Sequence, residues 1–199
     1  MKTAIRLAET EAERLALYAF RYAIYVEEMA RPQRHADHAM RRISDPMDGT
    51  ARNLIAWNSD EIVGCVRVNL ARDGGVDYYR ELLRMDAVGS AWPDAVSLCT
   101  RLMIRPEWRS SPLAMRLSIA AFELGLRECI RWNFIDCNDH LASFFTRMGY
   151  VTTHRPTHDE YGQVNAMRFD LTNEQWLASA GSPFRQSFNR HRAVLSQGG

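Results

Sequence analysis

The chain has almost no lysine. Lys2 is the only one among 25 basic residues, so positive charge is carried by arginine, whose planar guanidinium suits buried ion pairs and the clamping of phosphate or carboxylate. Genomic composition alone can produce the same bias. No apolar run approaches the length of a membrane span, and Met1–Glu13 is polar and lacks the apolar region of a signal peptide, so a cytoplasmic protein with no membrane span is expected. A formal charge of +1 leaves no positive excess for a dedicated nucleic-acid binder. No Cys-x-x-Cys occurs. Cys65, Cys99, Cys129 and Cys137 fall among apolar neighbours in expected strands or a helix and read as small buried hydrophobes of a reducing compartment. The pairs His35/His38 and His154/His158 have no third ligand nearby, and Pro156 interrupts the second, so no metal site is expected.

What is present suits one folded domain. The 199 residues, 46% hydrophobic and 25% charged, are enough for a core without disulfides. Residues 1–180 are expected to form the domain and 181–199 a basic tail or helix. From Gln175 onward no acid occurs while Arg185, Arg190, His191 and Arg192 follow, a segment that docks on an acidic partner or is merely solvated.

The stretch Ser97–Leu117 organises the chain. It predicts a strand from Val96 to Ile104, a loop closed by Pro106, and a helix opening at Ser111-Pro112. Free N–H groups at such a junction favour phosphate. Around it, a strand is expected at Ile5–Ala8 and a helix from the capping box Thr10-x-x-Glu13 to about Met29. Arg31–Arg42 reads as loop or short irregular helix, Asp45-Pro46-Met47-Asp48-Gly49 as a turn, Asn53–Trp57 and Glu61–Leu70 as a hairpin, and Val76–Met85 as helical. Further helices are expected at Pro112–Arg131, with Glu123 and Arg127 paired outside, and at Asp139–Met148, with Leu141 inward; Asn133–Asn138, Tyr150–Arg155 and Val164–Leu171 complete the strands. Thr172-x-x-Gln175 is expected to cap a last helix. This order predicts an α/β (α+β) fold: a mixed, mostly antiparallel central sheet flanked by helices on both faces.

Three arginines stand where apolar residues are expected. Arg21 shares a helical stripe with Leu17, Ile24 and Glu28; it either snorkels outward or lines a functional cleft. Arg67 projects from the strand face of Val63, Cys65 and Asn69 and needs an acidic partner or a solvated cleft. Strand alternation puts Arg101 with Ser97, Cys99 and Met103.

Leu102-Met103-Ile104-Arg105-Pro106, the following Arg109-Ser110-Ser111-Pro112-Leu113-Ala114, and Asn138 with Met148-Gly149-Tyr150 resemble the GNAT superfamily of acyltransferases. The resemblance implies that Leu102, Met103, Ile104, Arg109, Ser110, Ser111, Leu113, Ala114, Asn138 and Phe145 bind the acyl donor. Proline and alanine stand where that superfamily has glycines, and Phe145 replaces the tyrosine used as general acid by many acetyltransferases. Arg21-Tyr22-Ala23-Ile24-Tyr25, the acids Asp45 and Asp48, Gly64 with Arg67, and Thr100-Arg101 resemble in order the signature of LuxI-type acyl-homoserine-lactone (autoinducer) synthases and the related N-acyl amino acid synthases. Leu98 stands where the homoserine-lactone enzymes tend to have glutamate, which makes lactone synthesis the lesser branch.

This resemblance implies an N-acyltransferase that moves a medium- or long-chain acyl group from an acyl thioester to the amine of an amino acid or related small molecule. It also implies no tightly bound cofactor: the co-substrate is acyl-phosphopantetheine on acyl carrier protein, or acyl-CoA. Arg21, Asp45, Asp48, Arg67, Thr100 and Arg101 would form the catalytic charge network, backbone N–H groups at Leu102–Ile104 would meet the thioester oxygen, and a water or backbone carbonyl would relay the proton. Arg105, Arg109 and Arg116 would meet the carrier protein, and Met103, Met115 and Met148 would line an acyl tunnel. A conventional acetyl-CoA-dependent N-acetyltransferase and a non-catalytic acyl-thioester-binding module are the alternatives.

Overall fold

The computed structural model describes residues 3–197; Lys2 and the last two residues of the basic tail lie outside the described residues. Seven strands form the central sheet: β1 (Ala4–Leu7), β2 (Arg52–Asn58), β3 (Glu61–Leu70), β4 (Val96–Ile104), β5 (Trp132–Cys137), β6 (Val151–His154) and β7 (Asn165–Asp170). They lie in the order β1-β2-β3-β4-β5-β7-β6. Every neighbouring pair is antiparallel except β4 and β5, which run parallel. The helices are α1 (Glu11–Tyr22), α2 (Leu113–Arg127), α3 (Asp139–Met148), α4 (Glu174–Ser179) and α5 (Arg185–Gln197). The expected mixed sheet covered on both faces is what forms. Among the described residues no helix is long and apolar enough to cross a membrane.

Strand alternation packs apolar clusters on both faces of the sheet, three in all. Ile55, Ile62, Cys65 and Met103 pack under Leu17, Phe20 and Ile24 on the α1 face. Leu54, Ala56, Val66 and Val68 pack under Leu113, Leu117, Ala121 and Leu124 of α2 on the other. Val63 joins the α2 core rather than the face of Cys65 and Arg67, because the register shifts by one residue beside it. The Thr10 capping box forms as expected: Thr10 Oγ1 accepts from the Glu13 N–H at 3.2 Å and Glu13 Oε2 accepts from the Thr10 N–H at 3.1 Å. Past Tyr22, however, the helix widens into π-type turns over Ala23–Glu28, where the Met29 N–H bonds the Ile24 carbonyl at 3.0 Å. Glu28 and Met29 are exposed.

Several local expectations change for identifiable reasons. The end of the segment Arg31–Arg42 forms, with Ile43, a small hairpin pairing Ala36–Asp37 with Arg42–Ile43, and the helix expected at Val76–Met85 is one turn, Tyr79–Leu82. Cys129 is exposed, with φ +56°, just past α2. Asn173 caps α4, accepting from the Trp176 N–H at 2.9 Å, because the Thr172 hydroxyl is committed to Asp170 at 2.7 Å. Glu123 pairs not with Arg127 but with Arg190 of α5 at 3.0 Å and with the Ser187 hydroxyl at 2.7 Å. The basic tail is therefore a helix docked on α2, with Phe188 in the core. Leu141 is exposed on α3.

Gly64 lets α2 lie close on the sheet: a Cβ there would sit 2.9 Å from Ile104 Cδ1, 3.0 Å from Leu117 Cδ1 and 3.0 Å from the Met103 carbonyl oxygen. Gly64→Ala should therefore destabilise the fold by about 1–3 kcal/mol through overpacking. Urea unfolding monitored by circular dichroism measures this; an unchanged midpoint would show that the sheet and α2 yield freely.

Candidate active site

β4 and β5 pair at only three registers, Val96–Trp132, Ser97–Asn133 and Leu98–Phe134. They then part. The cause lies on the opposite edge of β4, where Arg67 of β3 faces Thr100 but Cys65 faces Met103. One extra residue is thus accommodated as a bulge at Arg101, whose φ is +54°. The bulge overturns the simple alternation expected from the sequence. Thr100 and Met103 share the α1 face, Cys99 packs toward α2, and Arg101 is re-aimed.

The gap opens into a cavity of about 750 Å³ that passes between the two faces of the sheet. Its polar end is bounded by Asp45, Arg67, Thr100, Arg101, Asp136 and Tyr161, and its apolar end by Met115, Ala121, Ile135, Leu141, Phe144 and Phe145.

Asp45 ties the polar end together. One carboxylate oxygen accepts from Arg67 Nη1 and the other from Arg101 Nη2, each at 2.6 Å. Arg67 Nε also donates to Thr100 Oγ1 at 2.9 Å, and Arg101 lies over the Tyr25 ring at 5.7 Å. Asp45 caps the 3-10 turn Pro46–Gly49, accepting from the Met47 N–H at 3.1 Å. Behind this layer, Arg21 Nη1 meets both oxygens of Asp48 at 2.8 Å and Arg21 Nη2 donates to Asn53 at 2.6 Å. Asp48 Oδ2 in turn accepts from the Asp45 N–H at 3.0 Å. Arg21 neither snorkels nor lines the cavity: it is fully buried and holds the turn that presents Asp45. Among the described residues the Nε atoms of Arg21 and Arg101 are buried without partners. Each such orphan costs about 1–3 kcal/mol, so this network is not arranged for stability alone.

At the donor end the expected residues divide. Leu102, Met103, Ile104, Arg109, Ser111, Ala114, Asn138 and Phe145 line the cavity; Ser110 and Leu113 do not, and Leu113 belongs to the core. Met103 and Met115 line it, whereas Met148 is buried elsewhere in the core. The Arg105 N–H bonds the Val63 carbonyl at 3.0 Å, so alternation turns the Ile104 amide away from β3 and toward the gap. The helix opening is partly occupied by its own groups. Pro112 has no N–H, and Ser111 Oγ takes the Leu113 N–H at 3.3 Å. Arg109 pairs with Glu28 at 2.6 Å, Arg116 donates to the Thr3 carbonyl at 2.8 Å, and Arg105 donates to the Ile62 carbonyl at 2.7 Å.

The histidine pairs also find protein partners. His38 Nδ1 lies 2.9 Å from the Tyr22 hydroxyl, His154 Nε2 lies 2.9 Å from the Leu82 carbonyl, and His158 Nε2 meets the Tyr78 and Tyr79 hydroxyls at 2.5 and 3.2 Å. Burial pushes the His158 pKa down, which favours the neutral ring. Sequence reasoning missed four residues here. Gln33, Asn53 and Tyr161 have no motif of their own, but Asp136 carried a readable signal as the only acid within an apolar strand.

Burial alone would raise the Asp45 pKa, but Arg67 and Arg101 outweigh it and hold the group at about 2. The folded value lies below the unfolded one of about 3.9. The group's contribution, of order 2 kcal/mol, is therefore complete above pH ~4 and is lost as pH falls toward 2. Wild-type stability should fall through this window, and Asp45→Asn, though less stable at neutral pH, should show a shallower acid slope in urea titrations. Parallel slopes would rule Asp45 out as the group responsible.

Residues 16–170 match the family model of the N-acyl amino acid synthase FeeM. No curated protein sequence matches the chain. Among solved structures, BjaI, a CoA-dependent acyl-homoserine lactone synthase solved with MTA, superposes with a TM-score of 0.71 at 17% identity, over 92% of this chain and 91% of that one. FeeM, an N-acyl amino acid synthase from uncultured soil microbes, gives 0.65 at 15% identity, over 93% and 97%. The acyl-homoserine lactone synthase LasI gives 0.69 at 14% identity, over 91% and 96%. With more than three quarters of its length matched by the family model, the chain belongs to the FeeM family of N-acyl amino acid synthases, acyltransferases that act on an amine.

Proposed function

We propose that this protein transfers a medium- or long-chain acyl group from acyl carrier protein to the amine of an amino acid. The observation that carries the reading is the cavity between the parted strands, polar and charged at one end and apolar at the other. The thioester carbonyl lies at the gap, where the Ile104 amide faces the developing oxyanion. The acyl chain runs into the apolar end between α2 and α3. The amine enters from the polar end, shaped by Asp45, Arg67, Thr100 and Arg101, with Arg21 and Asp48 positioning them. Attack forms the N–C bond, and collapse of the intermediate breaks the C–S bond and releases the phosphopantetheine thiol.

The choice of donor rests on the start of α2. A coenzyme A pyrophosphate needs several free N–H groups and close backbone approach. Here one N–H is absent, a second is taken by Ser111 Oγ, and the nearest arginine is held by Glu28. A carrier-borne phosphopantetheine has no pyrophosphate to satisfy.

Purified protein offered long-chain acyl carrier protein and a panel of amino acids should yield N-acyl amino acids by mass spectrometry, with kcat/KM well above that for the matching acyl-CoA. Equal use of both donors would reject the carrier protein as the specific donor. Ser118 lines the cavity midway along α2, and Ser118→Phe should shift the product profile toward shorter chains. Each methylene denied burial costs about 0.8 kcal/mol, roughly fourfold in kcat/KM. An unaltered chain-length profile would place the acyl chain elsewhere.

A further inference from the structure

Acylation at neutral pH begins with an ammonium, which must lose a proton before its nitrogen can attack. Four acids line the cavity: Asp45, Asp77, Asp136 and Glu160. Asp45 is bound by two arginines. Asp77 and Glu160 are exposed at the rim, and Glu160 accepts the Arg34 N–H at 2.8 Å. Asp136 differs from all three. It lies on β5 just past the last β4–β5 pair, opposite Ala166 of β7, on the same strand face as Phe134 and hence on the face of Thr100. Among the described residues no cation and no neighbouring side chain meets its carboxylate.

Resting on the acyltransferase reading above, we infer that Asp136 receives the ammonium of the acceptor amine and takes its proton. The carboxylate becomes a carboxylic acid, and the neutral amine forms the N–C bond. As the C–S bond breaks, the second nitrogen proton goes to the leaving thiolate, and Asp136 returns its proton to solvent when the amide leaves. Asp136 would therefore be a catalytic residue outside the arginine–aspartate network.

The surroundings support this role. Tyr78 and Tyr79 after β3, His158, Glu160 and Tyr161 of the hairpin that pairs Thr157–His158 with Gly162–Gln163, Arg67 and Arg101 across the gap, and Arg168 and His154 of the neighbouring strands β7 and β6 are the titratable groups nearest on this sheet face, with Arg31, Arg34, His35 and Asp77 at the cavity rim. The cations among the near groups are engaged elsewhere: Asp45 holds Arg67 and Arg101, each at 2.6 Å, and Arg168 lies over the Trp132 ring at 5.0 Å. Burial, opposed only by its own backbone N–H, lifts the Asp136 carboxyl to about 6. Asp45, at about 2, is a far weaker base.

The test compares wild type with Asp136→Asn and Asp136→Glu. The Asn variant should fold with an unchanged or higher thermal midpoint, since no ion pair is lost. It should lose roughly 100-fold or more in kcat/KM at pH 7 together with the acid limb of the profile, and Glu should restore part of both. Retention of activity within threefold, or loss of activity with the acid limb intact, would overturn the assignment. A second readout does not need turnover. In the infrared difference between wild type and Asp136→Asn, the protonated-carboxyl band should titrate near pH 6 and move to lower pH when butylamine is added. A band indifferent to butylamine would overturn the role of Asp136 even in an active enzyme. Absence of acyl transfer by wild type with an amine-responsive band would reject the acyltransferase reading and leave Asp136 an ammonium site.

Discussion

At Arg101 the backbone enters the left-handed region, and β4 carries one residue more than its partner across the β3 ladder. That extra residue breaks the regular pleat at the point where β4 leaves β5. A parallel pair that continued in register would have filled the middle of the sheet with ladder hydrogen bonds and apolar side chains. Because it stops after three registers, amide groups and side chains of both strands face a cavity instead. A positive φ at a non-glycine residue costs about 1 kcal/mol, and the Arg101–Asp45 ion pair is well placed to hold it.

The charged layer follows from the same geometry. Arg67 and Arg101 stand on adjacent strands, and a single carboxylate from the Asp45 turn bridges both. Removing one member of such a set leaves a buried charge without a partner, at a cost of about 3–5 kcal/mol. Arg21 and Asp48 act one layer back, fixing the turn rather than the substrate. The π-type turns at the end of α1 serve a related purpose. By adding a residue to the helix they present Ile24 and Tyr25 to the cavity while Glu28 reaches Arg109.

The two ends of the cavity make different demands on a substrate. The apolar end is lined by side chains that can bury methylenes without fixing their position, which suits the acyl chain proposed for it. The polar end is lined by charge, and Asp136, whose carboxylate no side chain meets among the described residues, is the group we assign to the ammonium. The start of α2 bears on the proposed donor, because Pro112 has no N–H and Ser111 Oγ takes that of Leu113.

Most of the fold was legible in the sequence, because alternating strands, the Thr10 capping box and Ser111-Pro112 ahead of α2 are local signals. The site was legible in part. Arginines at apolar positions of a helix and two strands must find acids, and Asp45 and Asp48 were within reach in a turn of the right kind. What the chain alone could not specify was the bulge, since register is settled between strands and not along one. The same holds for Asp136: its residue type was visible, but only the parting of β4 and β5 leaves that carboxylate facing a cavity. The sequence thus determined which charges are buried, and the tertiary structure decided which of them are paired and which remain available for chemistry.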